Sequence, residues 1–202
     1  MEGVFEGVLF GYSAYNFKTR QEAFDAIKEK KLGAVIMNPL GGGVIPQHPK
    51  LFNFLCREEG ESITAAALRF LWDHPEITVA LAGFETIEQL KEALDAVKGY
   101  KPRSAAELEE TKAKAQGSFE GICTGCGYCA GCPEGIPVDQ FMDTYNQKIL
   151  APNDRDPVGN RLKWHWRIER SVAAKCTSCG LCEEKCTQHL EIIKRLKEIA
   201  QN

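Results

Sequence analysis

Eight of the nine cysteines fall in two short runs. The first is Cys123, Cys126, Cys129 and Cys132, each three residues from the next; the second is Cys176, Cys179, Cys182 and Cys186. A cubane iron–sulfur cluster asks for one thiolate on each of four irons, three of them from a tight loop. The spacing therefore predicts two [4Fe–4S] clusters. Gly125, Gly127, Gly131 and Gly180 suit such loops, because a chain wrapped round a cluster needs positive φ and close backbone approach.

In the bacterial pattern C-x2-C-x2-C-x3-C-P, the fourth cysteine of each run serves the other cluster. Applied here, it puts Cys123, Cys126, Cys129 and Cys186 on one cluster and Cys176, Cys179, Cys182 and Cys132 on the other. The first run closes with x2 rather than x3, and Thr187 stands where proline is usual. Uncrossed ligation, each run serving its own cluster, is the alternative. A disulfide framework fits poorly in a chain of this length with no readable secretory signal. Zinc also uses C-x2-C pairs, and a zinc-stabilised structural or interaction module is the competing class. Zinc knuckles offer two ligands per turn, whereas three or four cysteines follow one another here. Cys56, beside Phe52 and Leu55, is expected to be buried and inert.

The chain that must position these thiols has 202 residues, 44% hydrophobic and 26% charged, enough for one or two packed domains. The opening Met1-Glu2-Gly3-Val4-Phe5-Glu6 is acidic, and no long apolar run is present, so neither a secretory signal nor a membrane span is expected and the protein is placed in the cytoplasm. A net charge of −3 gives no reason to expect nucleic acid. Residues 161–175 mix Arg161, Lys163, Arg167, Arg170 and Lys175 with Trp164, His165 and Trp166; the expectation is a helix with its tryptophans inward.

Gly7–Tyr12, Ala34–Met37 and Thr78–Ala82 are short apolar runs that read as buried strands. Between and after them lie helical stripes with capping signals: Thr19 with Glu22, Ser62 before Ile63–Asp73, and Thr86 with Gln89 for a helix running to Gly99. A short helix is expected near residues 50–59. The rhythm is βαβαβα, which implies a parallel sheet. Pro102 and Arg103 mark the expected boundary between a domain at 1–102 and one at 103–202. Ser104 with Glu107 caps a helix to about Gln116, and further helices are expected at Val138–Leu150, Asn160–Ala173 and over Leu190, Ile193, Leu196 and Ile199. The clusters are thus expected among helices.

Tyr15-Asn16, the run Val35 to Gly43 and the unit Ser62 to Leu94 resemble the last three βα units of the aldo/keto reductases. The two cysteine runs resemble the ferredoxin-like extension that some members of that family carry. The resemblance implies an α/β segment of a (β/α)8 TIM barrel followed by an α-helical dicluster ferredoxin-like domain. It further implies an iron–sulfur electron-transfer portion of an aldo/keto-reductase-like oxidoreductase, or an NAD(P)H-dependent carbonyl reductase completed by a partner chain. The family's Asp, Tyr, Lys and His tetrad comes from earlier strands, and no residue here is assigned to catalysis. Met37, Asn38, Leu40 and Gly41 would border the nicotinamide of NAD(P)(H), and Gly83, Phe84, Glu85, Thr86 and Gln89 its phosphates. A closed barrel takes about 250 residues. Three strands leave two open edges, so a redox partner is expected and, beside it, either the missing barrel half or a second copy of the chain.

Overall fold

The structure is a computed structural model that describes residues 4–115 and 119–201. The chain divides into two compact units, Met1–Gly117 and Ser118–Asn202.

The first unit is built on a three-stranded parallel sheet, β1 (Gly7–Gly11), β2 (Gly33–Met37) and β3 (Ile77–Ala80), in the order β1-β2-β3. Parallel neighbours need crossovers. Here α1 (Gln21–Lys30) joins β1 to β2. The short helices α2 (Val44–Gln47) and α3 (Pro49–Phe52), with the longer α4 (Ile63–Trp72), join β2 to β3. After β3 come α5 (Ile87–Val97) and α6 (Ala105–Lys114).

Alternation along each strand sends successive side chains to opposite faces. Phe10 meets Phe24 of α1, Tyr12 lies nearly parallel to Phe70 of α4, and Ala34 and Ile36 are fully buried between them. The opposite face is uncovered: Leu9 is 56% exposed, Val79 43% and Leu81 49%, with Met37 exposed beside them. The register aligns Leu9 with Val35 and Val35 with Val79. The strands expected to be buried are therefore buried on one face only. An apolar run cannot distinguish the two cases.

Ser62 and Thr86 cap α4 and α5 as expected, each hydroxyl accepting from a backbone N–H three residues on. Ser104 and Glu107 complete the reciprocal capping box of α6. The Thr19 cap does not form. Residues Phe17–Arg20 make a 3-10 turn, Thr19 donates back to the Asn16 carbonyl, and α1 starts without a side-chain cap. The helix expected near residues 50–59 is shorter, because α3 passes into a 3-10 turn at Asn53–Leu55.

The boundary expected at Pro102–Arg103 lies inside the first unit, which continues through α6. Asp73 supplies the reason. Its side chain is fully buried and accepts from the Arg103 backbone N–H at 2.6 Å and guanidinium at 2.7 Å; Tyr100 donates to it as well. Arg103 also donates to the Leu55 carbonyl at 2.6 Å. Cys56 is half-buried, and burial raises its thiol pKa.

In the second unit α7 (Val138–Leu150) and α10 (Ile192–Gln201) pack through Phe141, Met142, Leu196 and Ile199, all essentially buried. Between them lie the short α8 (Pro157–Asn160) and α9 (Leu181–Glu184). The helix expected at Asn160–Ala173 is broken. A π-helical turn covers Arg161–Trp166, Arg167 takes a left-handed φ of 56°, and a 3-10 helix begins at Arg170 and runs to Lys175. A π turn gives its helix an extra residue and rotates the side chains beyond it. Trp166 accordingly turns inward and donates to Asp143 at 2.8 Å, while Trp164 is 73% exposed, against the expectation that both pack inward. A Cβ at Gly159 would displace the Asp156 carboxylate that caps α8. The expected helix end near Gln116 and the opening Met1-Glu2-Gly3 lie outside the described residues. Among those described, no helix is long and apolar enough to cross a membrane.

Two measurements check the first core. Asp73→Ala leaves the buried Arg103 cation unpaired, and a loss of about 3–5 kcal/mol is expected; hydrogen-exchange protection of α4 reads it, and unchanged protection would refute the assignment. His74 donates from Nδ1 to the Phe70 carbonyl at 2.9 Å, so its Nε2 accepts from Tyr12 at 2.8 Å. Burial, then the nearby Lys112 charge, lowers its pKa from 6.5 to about 4. The unfolded chain takes up this proton below about 6.5 and the folded one does not. Stability is therefore fully present above pH 6.5 and falls as pH drops towards 4, with no further loss from this group below that. α4 protection, corrected for intrinsic exchange, should decline between pH 6.5 and 4, and His74→Gln should flatten the decline.

Candidate metal centre

The first cysteine run sits on a loop pinned by α7. Buried Asn146 accepts from the Cys123 backbone N–H at 2.8 Å and donates to the Cys123 carbonyl at 2.9 Å. One side chain thus fixes both sides of that residue. Past Cys123 the chain coils through Gly125, Gly127 and Gly131, at φ 69°, 74° and 89°, and Gly180 in the second run is at 83°. All four predicted glycines adopt the left-handed backbone that L side chains disfavour.

Gly180 turns the second run into α9, which carries Cys182 and ends just before Cys186. Glu183 of α9 accepts from the Ile193 backbone N–H at 2.8 Å, tying this short helix to the start of α10. Cys186 is buried in the helical core, and Cys123, Cys129, Cys132, Cys176 and Cys182 pack against that core. Cys126 and Cys179 are exposed.

The two runs interleave in space. Cys123 lies within electrostatic range of Cys126, Cys129 and also Cys186, and Cys129 likewise senses Cys126 and Cys186. Thr187, next to Cys186, has its hydroxyl 4.0 Å from the Cys126 sulfur. A small cavity is lined by Cys129 and Cys132 of the first run together with Cys179 and Cys182 of the second, and Cys182 senses Cys176. Thiols 63 residues apart in sequence, Cys123 and Cys186, are thus brought within electrostatic range of each other.

Burial pushes the Cys123 thiol up to about 11 and the Cys182 thiol to about 11, and raises Cys129. Thiolate is the metal-binding form, so loading this site releases protons. Backbone N–H groups already point at sulfur, from Gly125 to Cys123 at 3.4 Å and from Leu190 to Cys186 at 3.5 Å. Among the described residues, no three His, Cys, Asp or Glu side chains gather closely enough to chelate a single ion. A cubane asks for something different, one thiolate on each of four irons. Eight thiols in two interleaved groups, on glycine loops with N–H donors aimed at sulfur, fit that demand.

The residues expected to border a nucleotide are only partly gathered. Asn38, Leu40, Gly83, Phe84 and Gln89 line a cleft of about 570 Å³ beyond β2 and β3; Met37, Gly41 and Thr86 do not line it. Gly41 instead packs against Tyr15, where a Cβ would come within 3.4 Å. The N-terminus of α5 is already served, since Thr86 accepts from the Gln89 N–H and the Gln89 side chain from the Glu85 N–H. The lining carries Glu85 and Glu92 and neither Lys nor Arg. Such a wall repels phosphate. Asn146 and Thr187 escaped the sequence reading: a lone Asn on a helix carries no signal, and Thr187 stood out only as a missing proline.

Residues 122–191 match the family model of a 4Fe-4S dicluster domain. No curated protein matches the chain significantly.

Asn146→Ala would leave the Cys123 N–H and C=O without their partner. A cost of about 1–3 kcal/mol is expected, read as a lower unfolding midpoint of the second unit; an unchanged midpoint would show that the loop does not depend on this clamp.

Proposed function

We propose that the second unit, whose residues 122–191 carry a 4Fe-4S dicluster domain, relays single electrons for an oxidoreductase. Cys123, Cys126, Cys129 and Cys186 would hold one [4Fe–4S] cluster, and Cys132, Cys176, Cys179 and Cys182 the other. Each cluster, when bound, supplies one-electron storage. The observation that carries the reading is the approach of the two runs, with Cys186 in electrostatic range of Cys123 and Cys129, and Cys132 lining one small cavity with Cys179 and Cys182. The protein's own part is to fix the thiols with Asn146 and α9, to bury Cys186 and half-bury five others, and to leave Cys126 and Cys179 at the surface. Tyr128 and Leu181, each near one of those exposed cysteines in sequence, are exposed too and offer apolar contact to a redox partner.

For the first unit, we read the sheet as the closing part of an aldo/keto-reductase-like barrel whose remaining strands come from a partner chain or a second copy. The uncovered Leu9, Val79 and Leu81 support this, since parallel sheets are otherwise covered on both faces. Open sheet edges at β1 and β3 support it as well. In such an assembly, cations facing Glu85 and Glu92 would have to come from the covering chain if a nucleotide is bound. Light scattering of the anaerobic protein should then show a mass above one chain; a monomer at every concentration, and no change on adding cell extract, would remove the idea.

Anaerobic reconstitution should yield about eight irons per chain, as two four-iron clusters require. The double variant Cys123→Ser/Cys186→Ser should keep about four, because both residues serve one cluster. Loss of both clusters in that variant would favour the uncrossed arrangement. Zinc without iron would instead make the unit a structural module.

A further inference from the structure

The two cysteine groups differ in the hydroxyls around them. Thr124, directly after Cys123, has its Oγ1 buried and without a hydrogen-bond partner among the described residues. A buried hydroxyl left unpaired is costly. Its backbone cannot simply swing outward, because Asn146 holds the preceding residue on both sides. Thr187 comes directly after Cys186 and faces the Cys126 sulfur at 4.0 Å. Gln188 donates to the Thr187 oxygen at 3.3 Å, which leaves the Thr187 hydrogen free to point at sulfur. The corresponding positions of the other group are Thr177 after Cys176, which is exposed, and Pro133 after Cys132, which has no hydroxyl. Ser178 is exposed as well.

Backbone donors do not separate the two groups: Gly125 and Leu190 serve the first, and Glu183 serves Cys182 in the second. The hydroxyls do. Arg195 adds to the same side: its guanidinium lies over the Tyr145 ring, Nη1 is buried without a hydrogen-bond partner among the described residues, and Nη2 is only 2.7 Å from where a Cβ at Gly121 would lie, two residues before Cys123.

We infer that Thr187 donates to the Cys126 sulfur, that Thr124, whose hydroxyl reaches no cysteine sulfur among the described residues, would donate to the sulfide of a cluster bound by Cys123, Cys126, Cys129 and Cys186, and that the two hold the reduction potential of this site above that of the Cys132, Cys176, Cys179, Cys182 site. This rests on the dicluster reading. The physical reason is that reduction adds negative charge at the sulfurs, and an O–H aimed at them stabilises the reduced form more than the oxidised one. At equilibrium a single electron on the domain then resides at the site that contains Cys186.

The test is potentiometry of the full anaerobic chain monitored by electron paramagnetic resonance. Wild type should show two midpoints. Thr124→Val and Thr187→Val should each lower the upper midpoint and narrow the gap, Thr124→Ser should restore it, and Thr177→Val should change neither. If Thr124→Val does not load iron, Thr187→Val carries the test. Unmoved midpoints at about eight irons per chain, or a shift of the lower midpoint only, overturn the inference alone. A protein that takes zinc and no iron overturns it together with the reading beneath it.

Discussion

Eight thiols must be brought together from two stretches of chain that are separated by more than forty residues, and the second unit is organised by that demand. Cys186 reaches Cys123 only because α9 and α10 are fixed to each other by Glu183, and because α7 carries Asn146 to the first loop. The segment between the runs is not a passive spacer. Asp143 of α7 accepts from both Arg161 and Trp166, and Asp156 both caps α8 and pairs with Arg170. These polar ties fold residues 151–175 back so that Cys176 arrives beside the helical core. Closing so long a loop is entropically costly, and the ties recover it in small steps.

The first unit solves the opposite problem. It has one covered sheet face and a buried charge, and the charge rather than a metal marks its centre. Asp73 draws in Arg103, Tyr100 and the more distant Arg57, while Arg69 reaches from α4 to Glu61 and to the Ala96 carbonyl of α5. Such a buried network adds little net stability against a hydrophobic substitute, yet it is costly to break. Its effect is to specify where the chain after α5 must return, which is why α6 belongs to this unit.

Much of this was legible, for identifiable reasons. Capping signals at Ser62, Thr86 and Ser104 act over three residues, so local sequence determines them. The cysteine spacing and the four glycines each act within one short loop. What escaped reading depends on distant partners or on small changes of period. The π turn at Arg161–Trp166 differs from an α-helix by one residue, and a 3.6-residue pattern averages over it. Thr19 lost its cap to a bond with the Asn16 carbonyl. The uncovered sheet face has the same apolar residues that a covered one would have, and only the packing tells them apart.

The scaffold of the metal centre is hydrophobic, and this decides how the site can work. Phe141, Met142, Leu162, Ile192, Leu196 and Ile199 are buried in one cluster with Cys186, and Cys123, Cys129, Cys132, Cys176 and Cys182 pack against it. In a small zinc module the ligands themselves hold the fold together. Here helices α7 and α10 bury their own apolar faces and present the cysteines from outside. Ligands held by packing rather than by the metal change geometry little when the charge at the site changes, which keeps the reorganisation accompanying a one-electron step small. The raised thiol pKa values arise from the same burial, so the cost of assembling the site falls on loading it rather than on each later change of charge.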